Sequence, residues 1–156
     1  MTADSLPNHF IDRAGSRLLL LAESFQRLIG RPLIPEQGDI AENLWRAPFA
    51  IVAHGTEPDP IFFFANKLAL ELFETSPTAF AAMPSRLSAE AELREERARL
   101  MARVTSDGYI DDYSGVRISA AGRRFLIRNA IVWNLVDADG HLHGQAATFG
   151  DWTHLD

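Results

Sequence analysis

The sequence contains no cysteine. A chain without thiols cannot form a disulfide bond, a thiolate nucleophile, an iron-sulfur cluster or a zinc site with cysteine ligands. Proteins of a reducing compartment rarely carry disulfide bonds, so the absence agrees with a cytoplasmic location. We therefore expect a cytoplasmic protein whose chemistry depends on other side chains.

The sequence also has no long hydrophobic run. The longest apolar run near its start, Leu18 to Ala22, follows Asp12, Arg13 and Arg17 and is too short to span a bilayer. No small-residue cleavage site follows this run, as a secretory signal would require. These features predict no membrane partner and no export.

Positive charge is scarce as well. The chain has 15 lysines and arginines against 21 aspartates and glutamates, which gives a formal net charge of -6. Such a surface offers no general attraction to phosphate backbones, so direct binding of nucleic acid is not expected. No glycine-rich phosphate loop of the Walker or dinucleotide type is present, and nucleotide hydrolysis therefore has no support.

The composition that is present is that of an ordinary globular domain. The 156 residues are 47% hydrophobic and 23% charged, which is typical of one domain with one core. We divide the chain into an N-terminal helix and linker over 1–39 and a domain body over 40–156.

Apolar residues at spacings of three and four predict a first helix from about His9 to Ile29. Asn8 would cap its start, Gly30 would end it, and the stretch from Arg31 to Asp39 would connect it to the body. The helix either packs on its own domain or pairs two chains into a homodimer. The sequence leaves both interpretations open.

The body is predicted to contain two strands, then three helices, then three strands. The predicted elements are strands at Pro48 to Ala53 and Ile61 to Phe64, helices at Asn66 to Phe73, Ser76 to Ala82 and about Ala89 to Ser106, and strands at Tyr109 to Ile118, Arg123 to Val136 and His143 to Phe149. The first two strands indicate a hairpin. Glycine-bearing turns separate the last three strands, which favours an antiparallel meander.

This order, a five-stranded antiparallel sheet interrupted after its second strand by small helices, is the arrangement of the PAS fold. Several ordered segments resemble one family more closely. They are Leu44-Trp-Arg-Ala-Pro-Phe49, His54-Gly-Thr-Glu-Pro-Asp-Pro60, Asn66-Lys-Leu-Ala-Leu-Glu-Leu-Phe73, Pro84-Ser-Arg-Leu-Ser-Ala-Glu90, Asp111-Asp-Tyr-Ser-Gly-Val-Arg117 and Trp133-Asn-Leu135. They resemble the MEKHLA domain family over about Leu44 to Phe149.

The MEKHLA family is a PAS-related group known at the C-terminal end of plant class III homeodomain-leucine zipper proteins and as small bacterial proteins. We see no homeodomain or zipper pattern before the match and expect the stand-alone bacterial type. The resemblance implies an α+β fold with a PAS-like five-stranded antiparallel sheet, short helices on one face and an extra N-terminal helix. It implies a sensory or interaction role and names no ligand.

In a PAS-like fold, the inner sheet face and the short helices would enclose a small, mostly apolar cavity. The polar and aromatic residues expected near it, as candidate ligand-binding residues, are Asn66, Arg86, Tyr113, Arg117, Trp133, Asn134 and Gln145. An arginine and an amide would orient a small acidic or aromatic ligand, with Arg86 or Arg117 offering its planar fork to a carboxylate.

A structural interpretation of the same residues stays open. Arg86 or Arg117 would then pair with an acidic residue, and Trp133 would belong to the core. The acidic candidates are Asp111, Asp112 and Glu90. Alternation along a strand also limits the pocket, because it places Tyr113 and Arg117 on one side of the sheet and Asp112 on the other.

Metal and cofactor binding have weak support in the sequence. His141 and His143 lie beside Asp139 in a predicted hairpin turn, and no third ligand at fixed spacing completes a zinc or facial-triad pattern. We predict no metal site. His54 would suit a haem ligand, but its place at a strand end favours a turn histidine. Without a thiol the light-driven flavin adduct of some PAS domains is excluded, a flavin without the adduct stays open, and the cofactor is unknown.

Three functions therefore remain. The favoured one is a non-catalytic sensor that binds an unidentified small molecule. A second is an interaction domain that forms a homodimer through its first helix. The third is a small enzyme of the NTF2-like kind acting on a carbonyl-type substrate, in which Asp112 and His54 would act as base and orienting group.

Overall fold

A computed structural model describes residues 7, 10–11, 14–89 and 94–155 of the protein. Within these residues, six strands form one antiparallel sheet. The strands are β1 (Ala50–His54), β2 (Phe62–Ala65), β3 (Tyr109–Ile118), β4 (Arg124–Val136), β5 (Leu142–Phe149) and β6 (Asp151–His154). The strand order is β2-β1-β5-β4-β3, and β6 pairs with the first part of β4. The antiparallel β1–β5 pair joins the two halves of the chain in the middle of the sheet.

The described helices are short apart from two. They are α1 (Arg17–Ile29), α2 (Ile40–Trp45), α3 (Lys67–Phe73), α4 (Pro77–Phe80), a 3-10 helix (Ser85–Ser88) and α5 (Arg94–Asp107). Side chains that accept hydrogen bonds from the first turn begin three of them: Asp39 caps α2, Asn66 caps α3 and Ser76 caps α4. Among the described residues, no helix is long and apolar enough to cross a bilayer.

Helices cover both faces of the sheet. Phe25 of α1 packs edge-on against Trp133 of β4, with the ring centroids 4.9 Å apart. Val132, the neighbour of Trp133, packs instead with Val104 of α5, because adjacent residues of a strand point to opposite faces. Helices α3 and α4 lie on the same face as α5, where Phe73 of α3 contacts the cavity described below. The face covered by α3, α4 and α5 is called the inner face.

The predicted strands and turns agree well with the structure. The span from Tyr109 to Ile118 is a strand as predicted, and the other predicted strands differ from the observed ones by one or two residues at one or both ends. The β1–β2 hairpin and the antiparallel β3–β4–β5 meander are present. Gly122 and Gly140, which have positive φ, lie in the two turns of the meander.

The prediction of one continuous first helix is wrong. Residues 10–11 and 14 are helical, but Gly15 has a φ of 56° and α1 begins only at Arg17. A right-handed helix cannot continue through this left-handed conformation. The predicted start of the long helix at Ala89 is also wrong, since Ala89 is extended. The expected cap Asn8, His9 and residues 90–93 lie outside the described residues.

Three short elements were missing from the sequence prediction: the 3-10 helix at Ser85–Ser88, α2 and β6. Helix α2 lies where only the start of the domain body was expected. Strand β6 follows Gly150 and extends along β4, so that Phe125 pairs with His154. Its four residues alternate too briefly to indicate a strand, and the pairing partner lies 29 residues earlier in the register.

Candidate functional site

The inner face of the sheet and the helices that follow β2 enclose a small cavity of about 40 Å³, called here the inner cavity. At roughly 10–15 Å³ for each water molecule, it has room for about three waters. Its lining side chains are Val52, Ala53, His54, Phe62, Phe73, Ser88, Tyr113, Arg117, Ile127, Val132, Gln145, Ala146, Ala147 and Phe149. The space suits a small ligand and is too small for a flavin or a haem unless its walls move.

Arg117 is the charged residue of this lining. It is 8% exposed. Its Nη1 donates to the carbonyl oxygen of Val116 at 3.2 Å, and its Cζ lies 5.1 Å from the centroid of the Tyr113 ring. Among the described residues, no carboxylate forms an ion pair with it, and the described lining contains neither aspartate nor glutamate. A guanidinium stays protonated in proteins, so Arg117 is a buried cation beside an open space.

Tyr113 lies between the inner cavity and a second, more open space. The second space, called the outer groove, has a volume of about 420 Å³ and is bounded by α5 and β3. Tyr113 lines both. Its ring lies along its own strand, and a Cβ added at Gly115 would overlap the Tyr113 hydroxyl. The position of the ring therefore depends on a glycine two residues away.

Gln145 connects the inner cavity to the helices. Its Nε2 donates to Asn134 Oδ1 at 3.1 Å and to Thr105 Oγ1 of α5 at 3.2 Å. Asn134 Nδ2 donates to the Val104 carbonyl oxygen at 2.9 Å. On the far side of the sheet, Ser24 of α1 donates from Oγ to the Asn134 carbonyl oxygen at 2.6 Å. Hydrogen bonds thus connect the cavity wall to α5 directly, and to α1 through the side chain and main chain of Asn134.

His54 has a different place from the one expected. It is the last residue of β1, it is buried, and its ring lines the inner cavity. Its Nδ1 donates to the Gly55 carbonyl oxygen at 3.0 Å. The expectation of a turn histidine is corrected, since β1 extends one residue further than predicted. The alternation of strand residues, with Val52 also on the cavity wall, was the signal that would have found it.

Of the seven predicted site residues, three line the inner cavity: Tyr113, Arg117 and Gln145. Asn134 reaches it only through its hydrogen bond to Gln145. The structure places the other three elsewhere.

Trp133 is fully buried against α1 on the opposite face of the sheet, where its Nε1 is, among the described residues, a buried donor without a partner. Arg86 is exposed and pairs with Asp59 at 3.1 Å. Asn66 is buried and bonds to backbone groups of β1 and α3. These contacts favour the structural interpretation for the three residues. Arg86 pairs with Asp59, which was not among the expected acids, and Glu90, one of those acids, lies outside the described residues.

A carboxylate and two histidines meet in the β4–β5 turn. Asp137 Oδ1 accepts from the backbone N–H groups of Asp139 and His141, and its Oδ2 lies 2.8 Å from His143 Nε2. The hydrogen bond from His143, followed by those two backbone donors, lowers the pKa of Asp137 from 3.8 to about 2. Ligand atoms of Asp137, Asp139 and His141 lie within 4.8 Å of one another. Because hydrogen bonds of the turn account for this arrangement, it gives no independent indication of a metal.

The lowered pKa of Asp137 predicts how acid weakens this turn. A carboxyl group with a lower pKa in the folded state stabilises the fold above its unfolded pKa, and the contribution is lost as the pH falls toward about 2. We expect Asp137→Asn to lower the free energy of unfolding at pH 6, and the difference from the wild type to shrink between pH 4 and pH 2.5. Urea denaturation at each pH measures the difference in free energy of unfolding. Asp139→Asn is the control for the loss of a nearby negative charge. A difference that is constant with pH would contradict the expectation.

A sequence model of the MEKHLA domain matches residues 16–154. The chain belongs to the MEKHLA domain family. The match begins in the turn before α1 and ends in β6, so the family pattern includes α1 and the connector as well as the PAS-like body. The division of the chain at residue 39 stays a prediction.

Plant relatives of this MEKHLA domain are much longer proteins. The homeobox-leucine zipper protein HOX9 of Oryza sativa subsp. indica is 26% identical over 139 residues, which cover 86% of this chain and 16% of that protein. REVOLUTA of Arabidopsis thaliana, also a homeobox-leucine zipper protein, is 23% identical over 144 residues, covering 86% of this chain and 17% of that protein. The chain thus spans about a sixth of the length of these curated relatives.

Solved structures similar to this MEKHLA domain are PAS-like. The PAS domain of a protein from Colwellia psychrerythraea superposes with a TM-score of 0.60 at 14% identity, covering 74% of this chain and 92% of that one. An RNA-binding light-oxygen-voltage receptor superposes with a TM-score of 0.59 at 15% identity, covering 72% of this chain and 31% of that one. The predicted PAS-like α+β fold is confirmed. The NTF2-like alternative is wrong as a fold, and Asp112 lines the outer groove while His54 lines the inner cavity.

Proposed function

We propose that this MEKHLA domain is a non-catalytic sensory domain that binds a small carboxylate in its inner cavity. The observation that carries the proposal is Arg117, a residue only 8% exposed that lines the cavity and has no carboxylate partner among the described residues. Burying a charge is costly unless it is paired, so the site gains more from an anionic ligand than from a neutral one. The family and the PAS-like fold support a sensory or interaction role in general.

The rest of the lining supports a short monocarboxylic acid. A carboxylate can accept two parallel hydrogen bonds from the planar fork of Arg117. The apolar side chains of Val52, Ile127 and Phe149 would surround a short hydrocarbon tail, and Tyr113 offers a further polar group. With no acidic side chain in the described lining, nothing there repels the anion. The cavity volume limits a ligand that enters without rearrangement to a few non-hydrogen atoms.

A hydrogen-bonded connection from the site to α1 supports the sensory part of the proposal. A ligand that changes the position of Gln145 also changes its hydrogen bond to Asn134, whose carbonyl oxygen holds Ser24 of α1. Occupancy of the cavity would therefore alter how α1 packs on β4. PAS-like domains are generally sensory rather than catalytic, which supports binding without turnover.

Isothermal titration calorimetry tests the proposal. Protein that has been unfolded and refolded, to remove any retained molecule, is titrated with acetate, propionate and butyrate and with the matched neutral amide propionamide. We expect saturable binding of at least one acid and none of propionamide, since only the acids carry the anion that Arg117 requires. Equal binding of propionate and propionamide, or binding of neither acid nor amide, would contradict the proposal.

A homodimer through the first helix is a second proposal, independent of the ligand. Leu19 of α1 is 44% exposed and borders an apolar groove that includes Ala22, Leu33 and Ile34. An exposed leucine beside such a groove is suited to self-association. We expect native mass spectrometry to show a dimer that Leu19→Glu dissociates. Leu142→Glu in β5 is the matched control, because Leu142 is also 44% exposed. A monomeric wild type, or equal disruption by both variants, would exclude this interface.

A further inference from the structure

We propose that Tyr113 is the gate of the inner cavity and sets the largest acid that it accepts. This inference rests on the proposed carboxylate site. The ligand enters from the outer groove between α5 and β3, and the resting Tyr113 ring closes the passage. The first support is position, since Tyr113 lines both the inner cavity and the outer groove.

The difference in size between the two spaces gives the gate its effect. The outer groove has a volume of about 420 Å³, whereas the inner cavity has about 40 Å³. The Tyr113 side chain packs against the small apolar cluster of Leu100, Val104, Ile110 and Val132, and these contacts hold the closed position. Moving the ring outward joins the two spaces and brings Arg117 within reach of the groove.

The backbone around Tyr113 is suited to this movement. Strand β3 lies at the end of the sheet order and pairs with β4 alone among the described strands. Its register with β4 shifts between Ile110 and Tyr113 and again between Tyr113 and Gly115. Interrupted pairing on an edge strand re-aims side chains and weakens the local ladder. Tyr113 therefore lies where the pairing of β3 with β4 is interrupted on both sides.

Gly115 controls the closed position of the ring. The Tyr113 hydroxyl occupies the space that a Cβ at position 115 would need. Gly115 lies in the extended strand and is not among the glycines of positive φ, so alanine is compatible with its backbone. The methyl group would displace the far end of the Tyr113 side chain while leaving Tyr113 itself in the chain. Gly115→Ala is thus a gate variant that removes no ring and no polar group.

The experiment compares Tyr113→Ala, Gly115→Ala and the control Tyr113→Phe with the wild type, using propionate and the larger acid phenylacetate. We expect the wild type and Tyr113→Phe to prefer propionate, although the loss of the hydroxyl should weaken the binding of both acids by Tyr113→Phe. We expect the two gate variants to bind phenylacetate more tightly relative to propionate by at least about tenfold, the scale on which a pocket discriminates by size. Adding Arg117→Gln to Tyr113→Ala should abolish phenylacetate binding. Thermal unfolding checks that each variant is folded.

The outcomes separate the gate from the carboxylate site. Propionate binding by the wild type with the same propionate-to-phenylacetate preference in all variants would overturn the gate and leave the site intact. Failure of the wild type and of both gate variants to bind either acid would overturn the carboxylate site and the gate with it. Phenylacetate binding by Tyr113→Ala that survives Arg117→Gln would also overturn the inference, since the ligand would then occupy another place.

Discussion

Replacing Arg117 by glutamine is expected to abolish most of the affinity for propionate. Removing one partner of a buried, hydrogen-bonded charge pair costs about 2–5 kcal/mol, which corresponds to a loss of roughly 30-fold or more in affinity. The propionate affinity of Arg117→Lys should lie between those of the wild type and Arg117→Gln. The lysine ammonium keeps the charge but cannot offer the planar fork of a guanidinium. Calorimetric titration of each variant measures the change.

The matched control for this result is Arg86→Gln. Arg86 was an equal candidate in the sequence, but it is exposed and paired with Asp59 at 3.1 Å. Exposed ion pairs contribute about 0–1 kcal/mol to stability, so the control should bind propionate as the wild type does. Equal loss of binding in Arg86→Gln and Arg117→Gln would show that the effect does not come from the inner cavity.

Although Arg117→Gln should weaken ligand binding, we do not expect it to destabilise the ligand-free protein. Arg117 has no acidic partner among the described residues, and a buried cation that lacks one costs desolvation energy, so its replacement by a neutral side chain should be neutral or stabilising. We therefore expect ligand-free Arg117→Gln to resist urea as well as the wild type or better. If Arg117 instead had a structural role, its replacement would lower the free energy of unfolding. Any loss of propionate binding would then follow from unfolding of the protein.

Replacing Asn66 by alanine is expected to destabilise the protein strongly. The Asn66 side chain is 0% exposed. Its Oδ1 accepts from the N–H groups of Ile51 and Ala69 at 3.0 and 3.1 Å, and its Nδ2 donates to the Phe49 carbonyl oxygen at 2.7 Å. The side chain thus caps α3 and holds it to β1. Losing these partners should lower the free energy of unfolding by about 3–5 kcal/mol, since each buried group left unpaired costs about 1–3 kcal/mol.

Urea denaturation of Asn66→Ala and Ser76→Ala tests this account. Ser76 also caps a helix, accepting from Ala79 N–H at 3.2 Å, but its bond is exposed and single. Its replacement should cost only about 1 kcal/mol. If Asn66→Ala instead remained as stable as the wild type and lost its affinity for propionate, Asn66 would return to the ligand site and the structural role would be wrong.

Local signals in the sequence predicted the fold better than they predicted the site. The caps Asn66 and Ser76 and the turn glycines Gly122 and Gly140 act within a few residues of themselves, so they are readable from the sequence. The helix break at Gly15 was not readable from the sequence, because the apolar periodicity continues across this residue. Strand β6 depends on pairing with a distant part of β4, which no local pattern reports.

The sheet face on which a residue lies decides which of the predicted strand residues line the cavity. Tyr113 and Arg117, four residues apart on β3, line the cavity together. Trp133 and Asn134 are neighbours on β4, so the same alternation implies that both cannot face it, and the structure sends Trp133 toward α1. Composition alone could not decide between Arg117 and Arg86, because the partner of Arg86 lies 27 residues away in the sequence.

The most direct test of the carboxylate site observes the Arg117 guanidinium itself. In ¹H–¹⁵N spectra recorded on the Nε–H groups of arginine, the Arg117 signal is assigned by its absence from Arg117→Lys, and ¹³C-labelled propionate is then added. The account predicts a saturable shift of the Arg117 Nε–H and a contact between it and the labelled ligand, with the Arg86 signal unchanged. An Arg117 signal that does not move while propionate is at saturating concentration would contradict the account.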